Sequence, residues 1–446
     1  MIYTEKVNTL MIPERRRFVM AECTKKIWRN QVIYSVYVRS HSPEGTFEGV
    51  RRDLRRIREL GTDVVWLMPI HPIGEKARKG TLGSPYAIRD YRAVNPEYGT
   101  LEDFQNLVDD IHSQGMKCII DVVYHHTAPD SVLAEEHPEW FFHREDGSFG
   151  NKVGDWTDIV DLDYGDRGLW DYLIETLKYW ASMVDGFRCD VASLVPLAFW
   201  KEARERVEEV RPGCLWLAET VEPPFILALR EMGFDCLSDS QAFEAFDLCY
   251  DYDIYQIFLD YLEGKCPLER YAQAVSWQET IYPDNYVKLR YLENHDQLRA
   301  AFRIPNERNL HNWTAFQFFQ KGSALIYGGQ ERGDSHLPSL FDKDPVDWSG
   351  PDRTEQFRQL AALKHHPLMA EGVYRVEALP GDMLQAVYCR GQRQLVGIFS
   401  VRGTAGPVRV EAPDGLYEDL LSGGQVEVDR GLVSCKGTPL VFETGR

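Results

Sequence analysis

From residue 31 onward the chain alternates between two hydrophobic patterns. Short, nearly continuous apolar runs rich in β-branched and aromatic residues predict strands. Between them lie longer segments whose apolar residues recur every three or four positions, the spacing of a helix with one buried face. "QVIYSVYVRS" is the first strand. In "TFEGVRRDLRRIRELG", Phe47, Val50, Leu54 and Ile57 fall at helical spacing and Gly61 stands where a helix would end. "TDVVWLMPI" reads as a strand covered on both faces. "TLEDFQNLVDDIHSQG" predicts a helix opened by a Thr100/Asp103 capping box and closed at Gly115, and "KCIIDVVYHH" is the next strand. The pairs "VDGFRCD" with "PLAFWKEARERVEEV" and "CLWLAET" with "PPFILALREMG" follow, then the strand segments "DCLSD", "NYVKLRYLEN" and "SALIYGG". Eight such units predict an α/β fold, a closed parallel (β/α)8 TIM barrel. A doubly wound open sheet is the rival, but no G-x-G-x-x-G turn follows an early strand, so a dinucleotide fold is unsupported.

Two regions break the alternation. Residues 127–165 form a long insertion after the third strand, and insertions of this length usually carry function. Its aromatics, Trp140, Phe141, Phe142 and Trp156, are expected to pack a small subdomain more than to stack on sugar. From about residue 367 the pattern becomes short strands with turns such as "PDG" and "SGG", a C-terminal antiparallel β domain expected to cap the barrel. The organisation expected is a barrel over 1–126 and 166–366, an inserted subdomain over 127–165 and a β-sandwich over 367–446.

Charge narrows the partners. Fifty basic against 69 acidic residues leave a formal net charge of −19, which argues against nucleic acid or an anionic membrane and suits a neutral substrate. No apolar run approaches membrane-spanning length, and "MIYTEKVNTLMIPERRRF" lacks the apolar core of an export signal. The nine cysteines have no CxxC spacing, and Cys118, Cys189, Cys214 and Cys236 fall in apolar runs. A reducing, cytoplasmic setting is therefore expected. Oligomeric state is not legible.

The chemistry gathers where apolar runs end. In "GFRCD", strand alternation puts Arg188 and Asp190 on one face and Phe187 and Cys189 on the other. Asp121 with His125 and His126, Glu219, and Asn294-His295-Asp296 end other runs. In a parallel barrel those ends share one rim, where active sites are built. Three carboxylates there point to glycoside hydrolysis by paired carboxyl groups. Arg188 would favour the ionised form of Asp190, and an apolar setting after "CLWLA" would keep Glu219 protonated. Asp296 could stabilise positive charge building on a sugar ring.

"DVVYHH", "GFRCDVAS", "AET" and "ENHD", in this order, resemble the four signature segments of the α-amylase family of glycoside hydrolases. "GSPYAIRDYRAVNPEYGT", "IVDLDY" and "ALIYGGQE" resemble its supporting segments. The resemblance implies a retaining hydrolase that cleaves α-1,4-glucosidic bonds in maltooligosaccharides or glycogen through a covalent glycosyl-enzyme. It assigns Asp190 as nucleophile, Glu219 as general acid/base and Asp296 as the residue that distorts and holds the sugar. His126 and His295 would bind hydroxyls, Tyr86 would stack on the ring, Arg188 would tune Asp190, and Asp121 would support Arg188. A glucan-transferring enzyme on the same fold is the alternative; an inactive glucan-binding scaffold would usually have lost one of the three carboxylates. Two positions depart from the family pattern. His125 replaces an Asn that helps bind a structural calcium in many members, which places that calcium in doubt, since imidazole is a poor ligand for a hard cation. No cofactor and no metal are expected, and adjacent His125 and His126 would point to opposite faces of a regular strand. Ser193 and Leu194 replace a Lys-His pair that contacts the sugar on the leaving-group side.

Overall fold

The computed structural model describes residues 24–153 and 156–445. Eight parallel strands close into a barrel: β1 (Val32–Val36), β2 (Val64–Leu67), β3 (Lys117–Val122), β4 (Gly186–Cys189), β5 (Leu215–Ala218), β6 (Leu248–Tyr250), β7 (Lys288–Arg290) and β8 (Ser323–Tyr327). Each pairs with its neighbour in chain order, and β1 closes the ring on β8 with Ile33 opposite Leu325. β1, β2, β4 and β5 are buried along their whole length, as strands covered by helices outside and side chains inside must be. β4 and β5 approach so closely that a Cβ on Gly186 would lie 2.3 Å from the Leu215 carbonyl oxygen, so only glycine can begin β4.

The helices follow their sequence signals. Leu101–Ser113 carries the full Thr100/Asp103 capping box and buries Phe104, Leu107, Val108 and Ile111. Gly61 and Gly115 stand at φ +88° and +74°, the left-handed turn that ends a helix. The segment expected as one helix over 46–61 is two, Phe47–Arg51 and Leu54–Glu59. Asp53 marks the break: its backbone N–H bonds to Val50 O at 2.9 Å, and its carboxylate is taken by His41 and Arg56, each at 2.9 Å.

The sixth strand is not "DCLSD". Cys236 and Leu237 are buried, but they lie outside the barrel, where Leu237 N–H bonds to Ser193 O at 2.8 Å. The strand is Leu248–Tyr250, three residues long and preceded by a helical turn. Asp247 locks its entry by accepting the Trp216 N–H at 3.0 Å. So short a strand inside "AFEAFDLCYDYD" carries no alternation to read.

The insertion is tied down by a two-stranded antiparallel ladder, His126–Thr127 against Val160–Asp161. Trp140 and Phe141 are buried packing residues, and Trp140 stacks on His137 at 3.7 Å. Trp156 and Phe142 are half-buried: Trp156 packs on Ala87, Ala128 and Ile159 and lies 5.8 Å from the His126 ring, and Phe142 lies under Lys152. At the C-terminus two four-stranded antiparallel sheets stack face to face on a core that includes Met383, Ile398, Val428 and Phe442. The other face of the first sheet, with Leu384, Tyr388 and Phe399, is continuous with the barrel core. Among the described residues no helix is long and apolar enough to cross a membrane.

Candidate active site

Strand register builds the site. Asp121 on β3 and Arg188 on β4 are direct partners in the ladder, so both side chains enter the barrel at one level. Arg188 Nη1 donates to Asp121 Oδ1 at 2.9 Å and Oδ2 at 3.1 Å, and to Asp190 Oδ1 at 2.9 Å. Nη2 stands 2.9 Å from Glu219 Oε2, an ion-pair contact without hydrogen-bond alignment. Nε donates to the Tyr250 hydroxyl at 3.2 Å, and the guanidinium carbon lies 5.3 Å from the ring centres of Trp66 and Tyr250. One fully buried cation therefore holds three carboxylates from three strands.

A backbone device aligns Glu219. Val191, directly after Asp190, sits at φ +33° and ψ +46°, a left-handed conformation that a β-branched residue rarely adopts. There its N–H donates to Glu219 Oε2 at 2.7 Å. Asp190 and Glu219 are thus joined twice, through Arg188 and through this strained peptide.

On the opposite side, His295 Nε2 lies 2.7 Å from the Tyr86 hydroxyl and 3.0 Å from Asp296 Oδ2. The Tyr86 and His295 rings run nearly parallel, 15° apart, and Tyr86 also donates to Asp121 Oδ2 at 3.2 Å. Asp296 is the accessible member, its side chain 38% exposed at the barrel mouth. His126 Nε2 faces Asp190 Oδ2 at 3.9 Å. All eight residues picked out in the sequence, Tyr86, Asp121, His126, Arg188, Asp190, Glu219, His295 and Asp296, stand in this one network.

Burial separates the carboxyls of Asp190 and Glu219. Asp190 rises to about 6, because burial and the neighbouring Asp121 outweigh the pull of Arg188. Glu219 rises further, to about 8, from burial reinforced by the charges of Asp190 and Asp296 against the opposing Arg188. Asp121 also rises to about 6 through burial. Desolvation works on Asp296 too, but the His295 imidazole outweighs it and holds Asp296 below the ordinary carboxylate range. At neutral pH the site holds an ionised Asp190 beside a protonated Glu219, the division of labour that paired-carboxyl chemistry requires.

His125 and His126 do not point to opposite faces. β3 ends at Val122, and beyond it the two rings meet with Nδ1 atoms 3.1 Å apart. Burial pushes His126 down to about 4 and His125 well below its ordinary value, so both are neutral and one ring donates to the other. Asp161 Oδ2, 3.6 Å from His125 Nε2, accepts the Lys152 N–H at 2.7 Å; Asp161 Oδ1 is buried without a partner. One imidazole and one free carboxylate oxygen do not fit calcium, which takes six to eight oxygen ligands. Among the described residues no three His, Cys, Asp or Glu side chains gather to hold a metal.

Tyr250, Trp66 and Val191 were missed from sequence. Tyr250 was hidden with its strand, Trp66 reads as core, and nothing in a valine announces a left-handed backbone.

The family model for the α-amylase catalytic domain matches residues 16–358, and that for the bacterial α-amylase C-terminal domain matches residues 375–442. The chain belongs to the α-amylase family. The crystal structure of an α-amylase from Lactobacillus plantarum superposes with a TM-score of 0.93 at 46% identity, covering 94% of this chain and 100% of that one. The maltogenic α-amylase AmyB of Thermotoga neapolitana gives 0.83 at 32% identity, covering 94% and 99%. The α-1,4-glucan:maltose-1-phosphate maltosyltransferase of Myxococcus xanthus is 35% identical over 227 residues, 45% of this chain; the chain spans about a third (34%) of that relative's length.

Proposed function

We propose that this chain is a retaining glycoside hydrolase acting on α-1,4-linked glucans of the maltooligosaccharide or glycogen type. The observation that carries the reading is the shared Arg188, with ionised Asp190 on Nη1 and protonated Glu219 facing Nη2. In the first step an Asp190 oxygen attacks the anomeric carbon while Glu219 gives its proton to the departing glycosidic oxygen. That bond breaks, leaving a glycosyl ester on Asp190. In the second step Glu219 takes a proton from water, whose oxygen attacks the same carbon and releases the Asp190 carboxylate. Two inversions retain the configuration. Asp296, His295 and His126 border the space for the reacting sugar and offer groups for its hydroxyls, with Tyr86 as its floor.

The test is a time course on maltoheptaose, with NMR of the first anomer released. The α-anomer with shortening chains is expected; the β-anomer would remove the double-displacement mechanism. Transfer is the second reading, favoured by the 227-residue similarity to a maltosyltransferase, and a predominance of products longer than the substrate would establish it. The Asp190→Ala and Glu219→Gln substitutions should each lower kcat by about 10³-fold or more.

Catalysis is proposed to be independent of calcium, on the ground of the mismatched donors around His125 and Asp161. Unchanged activity and melting temperature in excess chelator are expected, and loss of either would overturn this. A cytoplasmic setting is proposed from the eight cysteines of the described residues, all free and six of them buried.

A further inference from the structure

Beyond β7 the chain runs to the helix Ala300–Arg303 without regular secondary structure, and this stretch carries His295 and Asp296. A few local bonds shape it. The Asp296 N–H donates to Asn294 Oδ1 at 2.9 Å, and Asn294 Nδ2 donates to the Tyr252 hydroxyl at 3.1 Å. The Asp296 side chain is 38% exposed, so close packing does not settle where its carboxylate stands.

Further restraint comes from a buried ion pair that no step of the reaction uses. Glu293, 1% exposed, spans the loop: its Oε1 accepts from Arg299 Nη1 at 2.7 Å and its Oε2 accepts the Ala300 N–H at 2.6 Å. One carboxylate thus closes residues 293–300 into a ring that contains Asp296. Arg299, fully buried, ties that ring to the chain beyond β8. Its Nη2 donates to Gly328 O at 2.9 Å and its Nε to His336 O at 3.1 Å, while the guanidinium carbon lies 4.3 Å from the Tyr327 ring centre. Asp334 Oδ2 stands 3.5 Å from Nη2. Stability alone does not account for such a pair. Two charges taken out of water cost about what their attraction returns, and apolar side chains of similar volume often fill the space with no loss. Apolar groups would not supply direction, whereas both oxygens of Glu293 are committed to fixed donors.

We propose that Glu293 and Arg299 are positioning residues: their ion pair, closed on the Ala300 N–H, sets where Asp296 presents its carboxylate to the reacting sugar. Through Arg299 the ends of β7 and β8 fix that place together. The assignment rests on the reading of Asp296 as a group that holds the sugar during glycoside cleavage.

The test is a double-mutant cycle in the full-length chain on α-maltosyl fluoride, whose good leaving group keeps slow variants measurable. Glu293→Gln keeps the shape but turns an NH2 toward one of its two donors, and should lower kcat by about ten-fold. Arg299→Lys keeps the charge but cannot reach Glu293, Gly328 O and His336 O together, and should lower kcat by about three-fold. With Asp296→Ala already present, neither change should lower kcat further, because the group being positioned is gone. A pair that only held the fold together would reduce the active fraction alike in both backgrounds. Equal falls in both backgrounds would therefore overturn the assignment, as would a kcat within about two-fold of the parent for both variants. If Glu293→Gln does not fold, the Arg299→Lys cycle decides. Parent turnover of the fluoride upholds the glucan reading whatever these variants do; a parent inactive on it and on maltotetraose would sink that reading and this assignment with it.

Discussion

Asp190 and Glu219 differ in protonation because each sits differently around one guanidinium, and two pH effects follow. The proposed mechanism needs Asp190 ionised and Glu219 protonated, so kcat/KM should rise through about pH 6 and fall through about pH 8, a bell that a pH series on maltotetraose would trace. A flat profile from pH 5 to 9 would contradict the roles assigned. Stability follows the same group with a definite sign. Glu219 keeps its proton in the folded state up to about pH 8, whereas in the unfolded chain it ionises near the ordinary carboxylate value, so the folded state binds more protons between these limits. Its contribution is fully present below the unfolded value and is lost as pH rises toward 8. Glu219→Gln should therefore raise the melting temperature, and by more at pH 8 than at pH 5; equal shifts would refute the raised value. The polar residues of this site were readable because charges at the ends of apolar runs are costly unless they are used. Val191 was not, since its role lies in a φ angle and not in its side chain.

At the scale of elements, β6 decides how Arg188 is held. Tyr250 ends this three-residue strand and its hydroxyl is the acceptor for Arg188 Nε. Tyr250→Phe leaves a buried charged donor without an acceptor, which should cost about 1–3 kcal/mol in urea unfolding and lower kcat with little change in KM. Unaltered stability and kcat would show that the hydrogen bond matters little. The longer strands were legible because their apolar runs have the length and composition of two-sided burial. β6 was not, because three residues carry no period and the extended segment over 235–238, with its buried Cys236 and Leu237, imitates a strand at the barrel's edge. The histidines after β3 misled for a related reason: alternation holds only while the strand lasts, and β3 ends three residues before His125.

For the whole molecule, the first C-terminal sheet shares a continuous apolar core with the barrel. Asn312, on the helix Glu307–Phe319, bridges the two by donating to Gly437 O at 3.0 Å and accepting the Ser400 N–H at 2.8 Å. Calorimetry should show one cooperative transition for barrel and sandwich together; two separated transitions would mean that the shared core is not coupled. The buried guanidinium has a further consequence for turnover. In the proposed mechanism Asp190 gives up its negative charge on becoming an ester, and in the same event Glu219 acquires one by losing its proton. Arg188 thus faces the same total charge before and after, handed from its Nη1 arm to its Nη2 arm. A fixed cation straddling both carboxyls lets the bond break without the surrounding protein having to reorganise its field.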